Sequence, residues 1–208
     1  MAHRMAHRMA EPSSNARKHA SRNPLQRALI GHFTRVLVRE VAALRPRRVL
    51  EIGCGEGHML AAIADAGLGA ELIGVELSAT AVTHARARLG SRARIEQGNA
   101  LTLADDHAAD VVLMLEVLEH LADPSAMLPV LARLCRPYLV ASVPWEPMFR
   151  LANLARGHHL RRLGNHPEHL QAWSRRGFLE FIGQRFELRG APLVPPWTMV
   201  VARARADE

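Results

Sequence analysis

The sequence lacks the patterns that mark membrane-spanning and secreted proteins. None of its apolar runs reaches the roughly 18 residues of a transmembrane helix, so we expect no membrane-spanning segment. The first 22 residues are polar and basic and contain no apolar core of the kind found in secretory signals, which favours a cytoplasmic location. Cys54 and Cys135 are the only cysteines, and in such a chain they predict free thiols in a reducing compartment.

Lysine is almost absent, and the positive charge lies mainly in two arginine-rich segments. Lys18 is the only lysine, yet the formal net charge of the 208 residues is +7. Residues 1–22 hold five basic side chains and one acidic one, and residues 145–178 hold six arginines and two glutamates. Basic segments favour an anionic partner, such as an acidic small molecule, a membrane surface or nucleic acid. A coding bias toward arginine explains the same composition without a partner.

Strand-like and helix-like segments alternate through most of the chain. The predicted helices cover residues 23–44, 57–66, 79–89 and 124–135, and the predicted strands cover residues 48–52, 71–75, 93–97, 110–115 and 138–143. Alternation at this spacing indicates βαβ units and a parallel sheet. Residues 186–193 and 198–204 are two further strand-like runs without a helix between them, which predicts an antiparallel hairpin at the sheet edge.

The same pattern predicts the domain organisation. We expect one domain over residues 23–208, preceded by a disordered basic tail over residues 1–22. Residues 145–178 interrupt the alternation after a late strand, where open α/β sheets carry segments that cover the substrate, so we expect a substrate-cap insertion there. Trp145, Phe149 and Trp173 in this insertion are candidates for an apolar acceptor wall or for ordinary packing within the cap.

A glycine-rich loop follows the first predicted strand and opens a helix. It reads Glu51-Ile-Gly53-Cys-Gly55-Glu-Gly57. Glycines let the backbone turn tightly and approach a ligand closely, and the helix N-terminus behind them offers unpaired N–H groups to an anionic group. Such a loop alone is a weak indication, because nicotinamide cofactors are bound by similar loops.

An acidic residue at the end of the second strand adds specificity. Glu76 lies 19 residues after Gly57, where a carboxylate can accept both hydroxyls of a ribose. The glycine spacing is G-x-G-x-G, whereas dinucleotide-binding loops read G-x-G-x-x-G, so less room is left for a diphosphate. Glu51 is also unfavourable for a diphosphate and suits a cofactor that carries an ammonium and a sulfonium group.

Four motifs in order make the resemblance to one family plain. Residues 49–57 resemble motif I of the class I S-adenosylmethionine (SAM)-dependent methyltransferases, and residues 74–78, 98–100 and 110–121 resemble their next three motifs. The match covers roughly residues 45–145. It implies a Rossmann-like three-layer α/β sandwich, with a mostly parallel seven-stranded sheet that ends in an antiparallel hairpin.

The resemblance also implies which residues bind SAM. Gly53, Gly55 and Gly57 would line its methionine part, with Glu51 near the amino group, and Glu76 would bind the ribose hydroxyls. Asn99 stands where the family usually has Asp, facing the adenine amino group; an amide oxygen can still accept from that group. The remaining candidates for contacts with SAM are Leu77, Ala100 and Leu115.

Candidate catalytic residues follow the fourth predicted strand. If this segment is helical, Glu116, Glu119 and His120 share one face. With His169 they could then hold a metal ion, an arrangement that resembles the bacterial small-RNA 3′-terminal 2′-O-methyltransferases. The same string is also common in small-molecule methyltransferases, where it is largely structural. We take His120 and His169 as catalytic candidates and predict no metal site.

Three functions remain open at this point. The leading prediction is methyl transfer from SAM to a small-molecule acceptor, at oxygen, nitrogen or carbon, with an anionic acceptor as one option. The alternatives are a metal-dependent RNA 2′-O-methyltransferase and a SAM-binding protein without catalysis. The sequence predicts neither the acceptor nor the oligomeric state, since a fold does not define its substrate.

Overall fold

The chain alternates between strands and helices in the part that the structure describes. This structure is a computed structural model, and it describes residues 23–145 and 170–205. The helices in these ranges are α1 (Pro24–Leu44), α2 (His58–Asp65), α3 (Ala79–Leu89), α4 (Met127–Leu134) and α5 (Arg175–Gly183). The strands are β1 (Arg48–Ile52), β2 (Glu71–Glu76), β3 (Arg94–Gln97), β4 (Ala109–Leu115), β5 (Cys135–Pro144), β6 (Phe186–Gly190), β7 (Leu193–Val194) and β8 (Trp197–Ala204).

The strands form one mixed sheet. Seven of them lie along one path in the order β3-β2-β1-β4-β5-β8-β6, and the two-residue strand β7 pairs with β8. Strands β1 to β5 are parallel to one another, whereas β8 is antiparallel to both β5 and β6. The carboxyl ends of β1 to β5 therefore meet at one edge of the sheet, together with the amino end of β8.

Helices cover both faces of this sheet, which confirms the three-layer α/β architecture. Helices α1, α2 and α3 share one cluster of buried apolar side chains with one face of the strands. Helices α4 and α5 share a second cluster with the opposite face. Successive strand residues alternate between the clusters, as in β4, where Val111 and Leu113 face the first and Val112 and Met114 face the second.

Helix α1 shows how local sequence sets an element. Its N-cap is Asn23, whose side-chain oxygen accepts a hydrogen bond from the Leu25 N–H at 3.0 Å, and Pro24 occupies the first helical position. The helix ends at Arg45, which adopts the left-handed conformation with φ 48° before Pro46. Its buried face packs against the first apolar cluster.

The structure departs from the predicted elements mainly near the late strands. Strand β5 begins at Cys135, where the sequence predicts the end of a helix. Helix α4 is therefore shorter than the predicted helix, and a 3₁₀ turn precedes it. Helix α5 occupies the last part of the predicted cap 145–178, and strand β7 was not predicted. Residues 1–22 and most of the cap lie outside the described residues. None of the described helices is long and apolar enough to span a membrane.

Two glycines allow a matched test of packing. A Cβ on Gly74 in β2 would lie 2.8 Å from Cys54 Sγ and equally close to the side chains of Leu60 and Ile95. We expect Gly74→Ala to destabilise the fold by about 1–3 kcal/mol, because these neighbours are buried. Gly31→Ala in α1 meets nothing within 4 Å, and we expect it to stabilise by about 0.5–1 kcal/mol. Urea unfolding midpoints measure the change in stability of each variant. Equal midpoints in the two variants would contradict the close packing around Gly74.

Candidate functional site

A cavity of about 490 Å³ lies at the carboxyl ends of the parallel strands. Its walls come from the glycine loop, the ends of β2, β3 and β4, helix α1 and the first residue of β8. This is the edge at which open α/β sheets bind their ligands. The volume is within the range of cofactor and substrate pockets.

The glycine loop turns sharply and passes close to the segment after β4. Gly53 has φ 75° and Gly55 has φ 53°, and the N–H groups of Gly53 and Cys54 both donate to the Val75 carbonyl. A Cβ on Gly53 would lie 2.5 Å from Val117 Cγ2. Only glycine combines this backbone conformation with this approach, so Gly53 lets the loop pass directly against Val117.

Gly57 has a different place from the one predicted. It does not line the cavity; it is the N-cap of α2, with φ 76°. A Cβ there would lie 2.7 Å from Leu89 Cδ1 and 3.3 Å from Ala85 Cβ, both in α3. Gly57 therefore allows α2 and α3 to pack closely, while Gly53 and Gly55 line the cavity.

The Glu76 carboxylate is held in place by backbone donors. Its two oxygens accept hydrogen bonds from the Gly55 N–H at 2.9 Å and the Ser78 N–H at 2.8 Å. Each carboxylate oxygen has a second lone pair, so both can accept a further hydrogen bond from a ligand in the cavity. The arrangement suits two adjacent hydroxyl groups.

Glu51 is a buried carboxyl group at the floor of the same cavity. Its residue is 3% exposed, and its Oε2 atom has no hydrogen-bond partner among the described residues. Burial raises the pKa of Glu51 to about 8; a hydrogen bond from the Leu60 backbone opposes the shift, and the nearby Glu76 charge adds to it. A carboxyl group of this kind favours a cationic ligand, since a positive charge would restore its ionised form.

A charged cluster behind the loop was not predicted from the sequence. The Arg88 Nε–H donates to the Glu56 carbonyl at 2.9 Å, and the buried Glu56 carboxylate lies 3.5 Å from His58 Nε2 and 3.7 Å from His84 Nδ1. Burial and the Arg88 charge lower the pKa of His58, against the opposing effect of Glu56. The cluster joins the loop to α3 and so fixes its position.

The remaining residues predicted to contact SAM also line the cavity. Asn99, Ala100, Leu77 and Leu115 all line it. The Asn99 side-chain oxygen accepts a hydrogen bond from the Leu101 N–H at 3.0 Å and caps a short 3₁₀ turn. The side chain is therefore held by its own backbone, and its oxygen keeps one lone pair for a ligand.

The segment after β4 is not an α-helix, which the predicted shared face of Glu116, Glu119 and His120 would require. Glu116 adopts a left-handed backbone with φ 55°, and only Leu118–His120 form a 3₁₀ turn. Glu119 is buried and lies 4.0 Å from His120 Nε2, whereas Glu116 and His120 line the cavity. Within the described residues, no three acidic, histidine or cysteine side chains are grouped so that they could hold a metal ion. His169 lies outside the described residues.

Among the described residues, two aromatic side chains line the cavity. Phe33 of α1 and Trp197 of β8 line it. Trp173 instead packs against Phe178 and Phe181 of α5, at ring-centroid distances of 5.8 and 5.0 Å. Trp145 follows β5 and does not line the cavity, and Phe149 lies outside the described residues.

Comparisons with known proteins give a family from sequence and a fold from structure. A family model described as a methyltransferase domain matches residues 50–138. The ubiquinone biosynthesis O-methyltransferase of Methylococcus capsulatus is 31% identical over 199 residues, which cover 86% of this chain and 78% of that protein. Two solved structures share the fold. Magnesium protoporphyrin IX methyltransferase from Synechocystis, with SAH bound, has a TM-score of 0.68 at 19% identity and covers 98% of this chain and 94% of its own. The methyltransferase domain of a bacterial Hen1 protein has a TM-score of 0.66 at 23% identity. The match covers 84% of this chain and 99% of that domain.

Proposed function

Because the chain belongs to the class I SAM-dependent methyltransferases, we propose that it methylates a hydroxyl group on a small aromatic acceptor. The observation that carries the proposal is one cavity with two unlike halves. One set of lining residues comprises the glycine loop and Glu76, and the other comprises His120 with the packed aromatic side chains Phe33 and Trp197. The name of the Methylococcus relative, an O-methyltransferase of ubiquinone biosynthesis, supports oxygen as the acceptor atom.

The residues of the first half fit SAM. The unpartnered Glu51 oxygen suits the ammonium group of its methionine part, and Gly53 and Gly55, which line the cavity without side chains, would lie along the methionine chain. Glu76 presents two oxygens with free lone pairs to the ribose hydroxyls. Asn99 and Ala100, which line the same cavity, would contact the adenine ring. Gly57 supports the loop from behind.

The reaction requires little chemistry from the protein itself. When bound, SAM supplies a methyl group on a sulfonium, which is already a good electrophile. With SAM bound, the methyl carbon would pass from sulfur to the acceptor oxygen, and the His120 imidazole would accept the hydroxyl proton. The chain's residues hold the two reactants in line and exclude water from them.

We expect His120→Ala to lower kcat for a hydroxylated aromatic acceptor by about 100-fold, the usual contribution of a general base. SAM affinity should stay unchanged, since His120 belongs to the other half of the cavity. The matched control is His107→Ala, because His107 lies in the turn before β4 and does not line the cavity. Methyl transfer from radiolabelled SAM measures kcat, and calorimetry measures affinity. Equal kcat in the two variants would remove His120 from the mechanism.

A second candidate function is metal-dependent 2′-O-methylation of RNA. It is favoured by one contact: the N–H groups of Leu170 and Gln171, which follow His169 in the sequence, donate to the Glu119 carbonyl at 2.8 and 3.1 Å. The same assay separates the two functions. Labelling of RNA that depends on Mn²⁺, is lost in His120→Ala and weakens steeply with salt would favour this candidate over the small-molecule acceptor.

A further inference from the structure

We infer that Ile30, Phe33 and Trp197 determine acceptor specificity, and that they select an acceptor with an uncharged, apolar body next to its reacting hydroxyl. The inference rests on the proposed function and narrows its substrate class. Its basis is the composition and rigidity of one wall of the cavity, together with the charges of the residues that line it.

Sheet topology separates the acceptor half from the cofactor half. The ends of β1, β2 and β3 carry the glycine loop, Glu76 and Asn99, and these strands are neighbours on one side of the sheet. On the other side, β4, β5 and β8 are neighbours. The end of β4 carries Glu116 and His120, and Trp197 at the start of β8 lies opposite Pro144 at the end of β5. An acceptor therefore lies over β4, β5 and β8.

The wall of the acceptor half is apolar and already formed. Phe33 and Trp197 are both buried, and their rings meet edge to face with centroids 5.2 Å apart. Ile30 lies one turn before Phe33 on α1 and also lines the cavity. The ring of His32 is 3.1 Å from the Leu193 carbonyl, a contact that ties α1 to β7 beside Trp197. Such a wall favours a flat apolar body over a hydrated one.

The charges of the lining residues disfavour an anionic acceptor. Glu51, Glu76 and Glu116 contribute carboxyl groups to the cavity, and among the described residues that line it there is no arginine or lysine. An acceptor carboxylate against the wall of Ile30, Phe33 and Trp197 would lose its hydration without gaining a cationic side chain. The expectation of an anionic acceptor rests on the basic residues of segments 1–22 and 145–178, which lie mostly outside the described residues. The described residues of the cavity favour a neutral acceptor.

A pair of acceptors with the same ring tests the inference. The neutral member is a propyl-substituted catechol, and the anionic member carries a propanoate chain at the same ring position. We expect wild type to favour the neutral acceptor in kcat/KM by at least about tenfold, which corresponds to about 1.4 kcal/mol. Ile30→Lys adds a cation to the wall and should shift the ratio toward the propanoate by a similar factor. The control Ala28→Lys adds the same charge on an exposed position of α1 and should leave the ratio unchanged.

A second variant tests the same wall without introducing a lysine at position 30. Phe33→Leu should raise KM for the neutral acceptor several-fold with SAM affinity unchanged, whereas Val36→Ala, also buried on α1 but away from the cavity, should not. A wild-type preference for the propanoate, or an unchanged KM in Phe33→Leu, overturns the inference and leaves the proposed function standing. If SAM binds but neither acceptor is methylated, the proposed function fails and the inference fails with it.

Discussion

Glu76→Ala is expected to weaken SAM binding by at least about 100-fold. The carboxylate is placed to accept two hydrogen bonds from the ribose, and a hydrogen bond to a charged group contributes about 1.5–3 kcal/mol. The two together correspond to a loss of about a hundredfold or more in affinity. The variant also removes the acceptor of the Gly55 N–H and so loosens the glycine loop. Calorimetric titration with SAM measures the effect directly.

Glu71→Ala is the matched control for this variant. Glu71 begins the same strand, is exposed, and pairs with Arg48 at 2.8 Å on the opposite edge of the sheet from the cavity. Its removal changes the charge of β2 by the same amount as Glu76→Ala does, and it should leave SAM affinity as in wild type. If Glu76→Ala bound SAM within about threefold of this control, less than about 1 kcal/mol would remain for the ribose contact, and the assignment of Glu76 would be wrong.

Glu51→Gln is expected to stabilise the cofactor-free protein at alkaline pH. The pKa of Glu51 is raised from 4.5 to about 8 in the folded state, so between these values the folded chain holds a proton that the unfolded chain has lost. The stabilising contribution of the protonated group is complete below pH 4.5 and is lost as the pH rises through about 8. Over this window the slope amounts to about 1.4 kcal/mol per pH unit. Glutamine does not titrate, so urea unfolding at a series of pH values should show a flatter profile in Glu51→Gln.

The same variant should weaken SAM binding and remove part of its pH dependence. Binding an ammonium group favours the ionised carboxylate, so wild type should release a proton on binding, and its affinity should rise with pH up to about pH 7, where the amino group of the ligand stays charged. Calorimetric titrations with SAM in buffers of different ionisation enthalpy measure the number of protons released. Identical proton release in wild type and Glu51→Gln would show that another group titrates.

The fold and the cofactor half of the cavity could largely be predicted from the sequence, because both depend on local patterns. Alternating apolar strands and helical periodicity give the order of the sheet, and the observed β1 and α3 have the predicted bounds. The residues from Glu51 to Gly55, with Glu76, Asn99 and Ala100, follow the ends of consecutive strands. Parallel pairing brings such ends together without further information.

The acceptor half could not be predicted in this way, because it depends on contacts between distant segments. Phe33 is one of several periodic apolar positions on α1, and nothing local distinguishes it from Leu37 as a cavity residue. Trp197 reaches the cavity only because β8 is antiparallel and inserted between β5 and β6. The left-handed backbone of Glu116 likewise follows from its N–H bond to the Ser142 carbonyl on the neighbouring strand, and the sequence gives no glycine there to indicate it.

The part of the chain that a methyltransferase-domain model matches, residues 50–138, includes the cofactor half and excludes Ile30, Phe33 and Trp197. If these three residues select the acceptor, as we propose, substitutions there would alter acceptor choice while the SAM-binding residues stay unchanged. Duplicated copies of such a gene could diverge toward new acceptors by substitutions at these outlying positions alone. Exchange of the α1 segment and the β7–β8 hairpin between related enzymes is accordingly a rational way to transplant acceptor preference.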